Sequence, residues 1–126
     1  MLDVIGHEPE PLHAFAYVST PTVPFSDRDL SDLLIAARHA NTAHGVTGKL
    51  VVLEAASGVV RFAQYVEGPA PGLAAVTERI LADPRHGAIE IRRQGPVPAR
   101  RFPGWDMALH PADAATFSQH ADATTA

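Results

Sequence analysis

Residues 13–19 (HAFAYVS) alternate, with Phe15 and Tyr17 on one parity and Ala14, Ala16 and Val18 on the other. Apolar side chains on both parities predict a first strand buried on both faces. Pro21 and Pro24 make residues 20–25 a loop. Ser26 with Asp29 three residues later offers a capped helix start, and Leu30, Leu33, Leu34 and Ala37 follow at i, i+3, i+4, i+7 spacing until Gly45 ends the helix. The run 49–53 (KLVVL) suits a central strand. Residues 54–58 read as a hairpin turn, and 59–67 (VVRFAQYVE) return with alternation, setting Val60, Phe62, Gln64 and Val66 against Arg61, Ala63, Tyr65 and Glu67.

The stretch 68–72, with Gly68 and Gly72, breaks the pattern before a second helix that carries Leu73, Val76, Thr77 and Ile80 and stops at Pro84. Residues 88–94 predict a fourth strand and 105–109 (WDMAL) a fifth, joined through a proline-containing arm over 95–103. Strand, helix, strand, strand, helix, strand, strand is the order of an α+β, ferredoxin-like βαββαβ fold with an added fifth strand. It implies one mixed five-stranded sheet with both helices on one face. Residues 1–11 read as a flexible leader, 12–110 as the domain, and 111–126 as a short C-terminal helix over 112–120 followed by a frayed tail.

At 126 residues the chain is the size of one domain, with no room for an output enzyme beside it. The net charge of −4 supplies no basic field for nucleic acid, and no apolar run reaches the roughly 18 residues of a membrane span. A cytoplasmic, non-enzymatic protein is the expectation. Cysteine is absent, which removes disulfides, thiol catalysis and cysteine-based zinc sites. Seven histidines raise a metal site, but His39 and His44 fall on different helix faces and no histidine stands at ligand spacing from a carboxylate. With 20 glycines and prolines and few aromatic residues, much of the core is built from small side chains. Such a core leaves room for a group that is not protein.

The informative positions are polar residues where the pattern predicts burial, because an unpartnered buried amide or hydroxyl costs about 1 to 3 kcal/mol. Asn41 lies seven residues past Leu34, about 20 degrees from that leucine's direction around the helix. Gln64 shares its parity with Phe62 and Val66, and Tyr17 with Phe15. The three could satisfy one another or the backbone; a bound molecule with a polar edge and a flat apolar body between the helices would satisfy them together. Arg79 and Asp83, four apart, read either as a surface ion pair or as an arginine aimed into the groove. Arg85 and His86 read either as phosphate contacts or as a solvated turn, while Arg100 and Arg101 read as an exposed basic pair. Trp105 and Met107 share one face of the last strand, where plain core is the ordinary role.

Tyr17 in AYVS, Asn41 followed by GVTG over 45–48, Gln64 in RFAQYVEG, DPRH over 83–86 and RRFPGWDM ending at Met107 stand in one register. In that order and spacing, residues 12–109 resemble the BLUF family, blue-light sensors using flavin. The resemblance implies a flavin ring held non-covalently between the two helices, FAD in the first place with FMN or riboflavin as alternatives. It implies Tyr17 as electron and proton donor, Gln64 as the amide bridging Tyr17 and the ring edge, and Asn41 as the amide fixing the ring. It further implies Arg79, with Asp83 nearby, at a ring oxygen, Arg85 and His86 as cofactor contacts, and Trp105 and Met107 as the pair that relays the signal. A downstream protein partner is expected with it, and exposed sheet surface with the weak C-terminal helix makes self-association a separate expectation. Ala40 stands where many relatives carry a second polar residue and Ala37 where some carry a hydroxyl, the 53–62 hairpin is a little long, and Lys49 is unusual in a central strand. Other readings are a non-photoactive regulatory or oligomerisation module and an acylphosphatase-like hydrolase. The latter needs an arginine in the loop after the first strand, and 20–25 contain none.

Overall fold

In a computed structural model, which describes residues 11–56, 58–104, 106–112 and 117, the chain runs β1 (Leu12–Pro21), α1 (Asp27–His44), β2 (Thr47–Ala55), β3 (Gly58–Pro69), α2 (Ala70–Ala82), β4 (His86–Pro96) and β5 (Ala108–Ala112). The strands form one sheet in the order β4-β1-β3-β2-β5. Its pairings are antiparallel except β2 with β5. This is the expected α+β ferredoxin-like arrangement with β5 added at an edge. The apolar residues on both parities of β1 suit its place between β4 and β3, where Ala14, Phe15, Ala16, Tyr17 and Val18 are all buried.

The start of α1 forms as its sequence dictates. Ser26 Oγ accepts from the Asp29 amide at 3.1 Å, and Asp29 Oδ2 accepts from the Ser26 amide at 3.0 Å. That backbone bond holds the Asp29 carboxyl below the usual carboxylate range. Gly45 closes the helix with φ 69°, a left-handed conformation that favours glycine.

Several boundaries differ from the sequence expectation: β1 runs on to Pro21, into the expected loop, and β2 (Thr47–Ala55) and β4 (His86–Pro96) extend past their expected ends. The stretch 68–72 is not a break: β3 runs to Pro69 and α2 starts at Ala70, with Pro71 in the first turn, where a missing N–H removes no helical bond. Its glycines serve close approach instead. A Cβ on Gly72 would lie 2.1 Å from the His44 carbonyl oxygen, and one on Gly68 2.9 Å from that of Gly45. The fifth strand begins at Ala108, opposite Lys49, not at 105, because a turn through Gly104 at φ 81° precedes it. Pro111 is accommodated because β5 is an edge strand. In β4 the pairing with β1 slips on either side of Tyr17 and Val18, and Ala88 there adopts φ 49°. Residues 1–10 of the leader, Trp105, and most of the expected C-terminal helix and tail lie outside the described residues.

The two faces of the sheet are buried by different means. On the front, Phe15, Tyr17, Leu50, Val52, Phe62 and Val66 pack with Leu30 and Leu34 of α1, Leu73 and Val76 of α2, and Met107. On the back, Leu12, Ala14, Ala16 and Tyr65 pack with Val97, and Val18, Val51 and Ala63 pack with Phe117. The back face of the central strands is thus covered, against the expectation of exposed sheet surface there. No helix among the described residues is long and apolar enough to cross a membrane.

Gly72→Ala should destabilise the fold by about 1–3 kcal/mol through overpacking against helix backbone. Helix propensity alone would stabilise it by about 1 kcal/mol. Urea unfolding with an unchanged m-value and a lowered midpoint is the expected result, so the sign decides between the two.

Candidate functional site between the helices

The antiparallel register of β1 and β3 sets Tyr17 directly opposite Gln64, and both side chains point to the front face. The Tyr17 hydroxyl donates to Gln64 Oε1. The carboxamide's other end, Nε2, lies 3.6 Å from Met107 Sδ as a donor to sulfur. Tyr17, Gln64 and Met107 are 4%, 7% and 1% exposed, so this chain of contacts is shut off from bulk water. Burial first, then the negative charge of Asp83, pushes the Tyr17 phenol well above its ordinary pKa. At neutral pH it is a neutral donor.

A groove partly open to solvent lies above this pair, between the two helices. Its floor is Tyr17, Leu50, Phe62 and Gln64 of the sheet. Ala36, Ala37, Ala40 and Asn41 of α1 and Val76, Arg79 and Ile80 of α2 form its walls. The short side chains of these alanines leave that side of the groove unfilled. Asn41, 1% exposed, donates from Nδ2 to the Asp106 carbonyl at 2.6 Å, and its Oδ1 has no partner among the described residues.

The structure therefore brings Tyr17, Asn41, Gln64 and Met107 into one constellation, with Arg79, Asp83, Arg85 and His86 at its rim. Two rim readings are corrected. Asp83 does not pair with Arg79. At the C-cap of α2, its carboxylate accepts from the Arg85 amide at 2.9 Å and pairs with the Arg85 guanidinium at 2.6 Å, a local turn favoured by Pro84 between them. These bonds hold the Asp83 carboxyl below, and the Arg85 guanidinium above, their usual ranges. Arg79 is left exposed in the groove wall without a hydrogen bond or ion pair among the described residues. His86 is not a solvated turn. Its Nε2 donates to the Ile80 carbonyl at 2.8 Å, and Nδ1 meets Ser19 Oγ at 2.7 Å. Its ring lies 5.6 Å from that of Tyr17.

Sequence reasoning missed Arg38, whose Nε donates to the Met107 carbonyl at 3.0 Å and lies 3.9 Å from Asp106 Oδ1. Its signal was available: it stands three residues before Asn41, on the same side of α1. No group of three or more histidine, aspartate or glutamate residues able to hold a metal occurs among the described residues.

A ferredoxin-like sheet with a tyrosine-glutamine pair under an apolar, amide-rimmed groove between two helices defines a small-molecule sensor fold more readily than a hydrolase. Residues 12–108 match the family described as sensors of blue-light using FAD, and the chain belongs to that family. Over 97 residues it is 30% identical to a photoactivated adenylate cyclase subunit beta-like protein FB of Euglena gracilis, covering 76% of this chain and 11% of that protein. Among solved structures, it resembles the dark state of the BLUF protein BlrB, with a TM-score of 0.72 and 32% identity over 81% of this chain and 74% of that one. It also resembles the manganese/cy-diGMP complex of BlrP1 from Klebsiella pneumoniae, with a TM-score of 0.68 and 28% identity over 84% of this chain and 25% of that one. The chain thus spans about a tenth of the curated relative and a quarter of BlrP1.

Asp83→Asn should remove a stabilising contribution of a few tenths of a kcal/mol, the scale of an exposed ion pair. Because the folded carboxyl titrates below its unfolded value of about 3.9, that contribution is present above the unfolded value and lost as pH falls through the folded one. The wild-type and Asp83→Asn urea midpoints should therefore differ at pH 7 and converge toward pH 3 and below.

Proposed function

We propose that the groove between α1 and α2 binds the ring of a flavin, FAD in the first place, and that Tyr17, Gln64 and Met107 are the switch it operates. The observation that carries this is the buried Tyr17–Gln64–Met107 chain lying on the floor of a groove whose wall holds Asn41, its Oδ1 without a partner among the described residues. The residues fit such a group. Phe25, Leu33, Leu50 and Ile80 offer apolar surface to a flat ring, Asn41 and Gln64 offer amides to its polar edge, and Arg79 offers an uncommitted guanidinium. A bound flavin supplies absorption of blue light and, once excited, the capacity to take an electron from a nearby phenol.

The protein's part is to hold one proton and one amide in a defined arrangement. Tyr17 keeps its proton at Oη because burial disfavours the phenolate, and it directs that proton at Gln64 Oε1. Any loss of charge from the phenol is therefore felt first by this carboxamide. Turning or tautomerising the Gln64 amide exchanges donor and acceptor at its two ends. In the observed arrangement Met107 Sδ receives an N–H; after the exchange it would face an oxygen, and a thioether has no proton to give. Two hydrogen-bond arrangements of the same side chains thus differ in how they hold Met107, the residue immediately before edge strand β5. We propose that a protein partner reads β5, and that light selects between the two arrangements by a shift of populations.

Purified protein should be yellow, should release FAD on denaturation, and should show a reversible red shift under blue light. Tyr17→Phe should keep the colour and lose the light response, and Gln64→Leu should lose the normal red shift. Light-minus-dark absorption spectra check all three proteins, and a normal photocycle in either variant would refute the roles assigned.

A further inference from the structure

Glu67 lies on the opposite face of β3 from Gln64 and is 0% exposed. Its Oε1 accepts from the Tyr65 hydroxyl at 3.1 Å and the Arg101 amide at 2.8 Å, while Oε2 accepts from the Phe102 amide at 2.7 Å. A carboxylate bonded through both oxygens to consecutive backbone N–H groups is a rigid, charge-assisted anchor. The Arg101 guanidinium lies 4.9 Å from the Tyr65 ring centre and supplies nearby positive charge. Burial, then the charge of Glu67, pushes the Tyr65 phenol up to about 12, which keeps it a donor.

Further bonds fix the same stretch of the arm. Arg100 donates to Thr47 Oγ1 at 2.9 Å and to the Gly45 carbonyl at 2.8 Å, so the pair read as an exposed basic surface is a fastening. The Val97 amide donates to the Leu12 carbonyl at 3.0 Å. Past Phe102 only residues 103–107 separate this anchor from β5, which is paired to β2 from Ala108. Met107 sits at the end of that short span.

We propose that Glu67 is a positioning residue for the switch, clamping the arm at Arg101 and Phe102 so that displacement of Met107 is confined to residues 103–107 and passed to β5. This rests on the role proposed above for Gln64 and Met107. With the clamp in place, rearrangement at Met107 strains a five-residue span that includes the left-handed Gly104; without it the strain spreads back along the arm. The barrier between the two amide arrangements is correspondingly higher with Glu67 bound.

The test is Glu67→Gln in the flavin-loaded chain. A carboxamide has one acceptor oxygen, so its NH2 must face one of the two backbone N–H donors. Flavin binding and the size of the red shift should persist, while dark recovery becomes faster by about two- to thirtyfold, the range for residues along a coupling network. Val51→Ala, which thins the same back face without touching the arm, should recover at the wild-type rate. Wild-type or slower recovery in Glu67→Gln, or equal acceleration in Val51→Ala, would overturn the proposal. If Glu67→Gln does not fold, Arg100→Met carries the same expectation and the same refutation. Amide exchange at Met107, faster in Glu67→Gln and unchanged in Val51→Ala, reads the clamp without light. A wild-type chain lacking the red shift would therefore refute the function proposed above, and unchanged exchange would refute the clamp.

Discussion

The structure turns on a shortage of partners at one place on the sheet. The register of β1 and β3 buries a phenol and a carboxamide side by side among Phe15, Phe62 and Val66, where the Tyr17 hydroxyl donates to Gln64 Oε1. Once that bond forms, the amide's N–H groups have a thioether as their protein neighbour, a weak acceptor. An amide satisfied well at one end and poorly at the other is easily turned by whatever else approaches it.

What approaches is decided by the helices. α1 presents Ala36, Ala37 and Ala40 where larger side chains would have met α2, and α2 is seated against the end of α1 by Gly72 on the His44 carbonyl. The helices thus meet closely at that end, while the short side chains of α1 leave the groove between them unfilled. Stability is drawn from Leu30, Leu34, Leu73 and Val76 beneath, so the open groove coexists with a packed core. The rim follows the same economy. Asp83 and Arg85 neutralise each other in a local turn, which leaves Arg79 in the wall without an ion pair among the described residues.

Much of this was legible because it depends on local periodicity. The strand parities, the Ser26 cap, Gly45 and the three polar residues on apolar faces all follow from side-chain direction within one element. Tyr17 opposite Gln64 joins strands separated by α1 and β2, so the pairing was expected from the family resemblance and not from local pattern. The remainder was set by contacts between distant segments. Gly68 and Gly72 look like breakers in the sequence but serve backbone approach to Gly45 and His44. Asp83 was misassigned because helical spacing suggests Arg79, whereas the helix ends at Ala82 and the carboxylate turns toward Arg85. Arg100 and Arg101 could not be placed without knowing that the arm folds over the back of the sheet. The one sequence hint for Glu67 was a carboxylate on the parity of Tyr65 and Ala63 in a strand apolar on both faces.

These distant contacts close into a ring. β3 carries Gln64 on its front and Glu67 on its back; Glu67 holds the arm; the arm passes to the front and delivers Met107; and Met107 meets Gln64. Asn41 and Arg38 pin the same segment from α1 through the Asp106 and Met107 carbonyls. A ring of short links differs from an open chain in how it treats a small movement. In an open chain, a turned amide is absorbed by the nearest soft side chain. Here the soft side chain is itself held on both flanks, by the clamp behind and by β2 pairing ahead. Packed elements with few alternative arrangements respond to such a push by changing state instead of deforming gradually. The edge strand is the least constrained member of the ring, having a neighbour on one side only, and it is therefore where a change begun at Tyr17 and Gln64 would emerge.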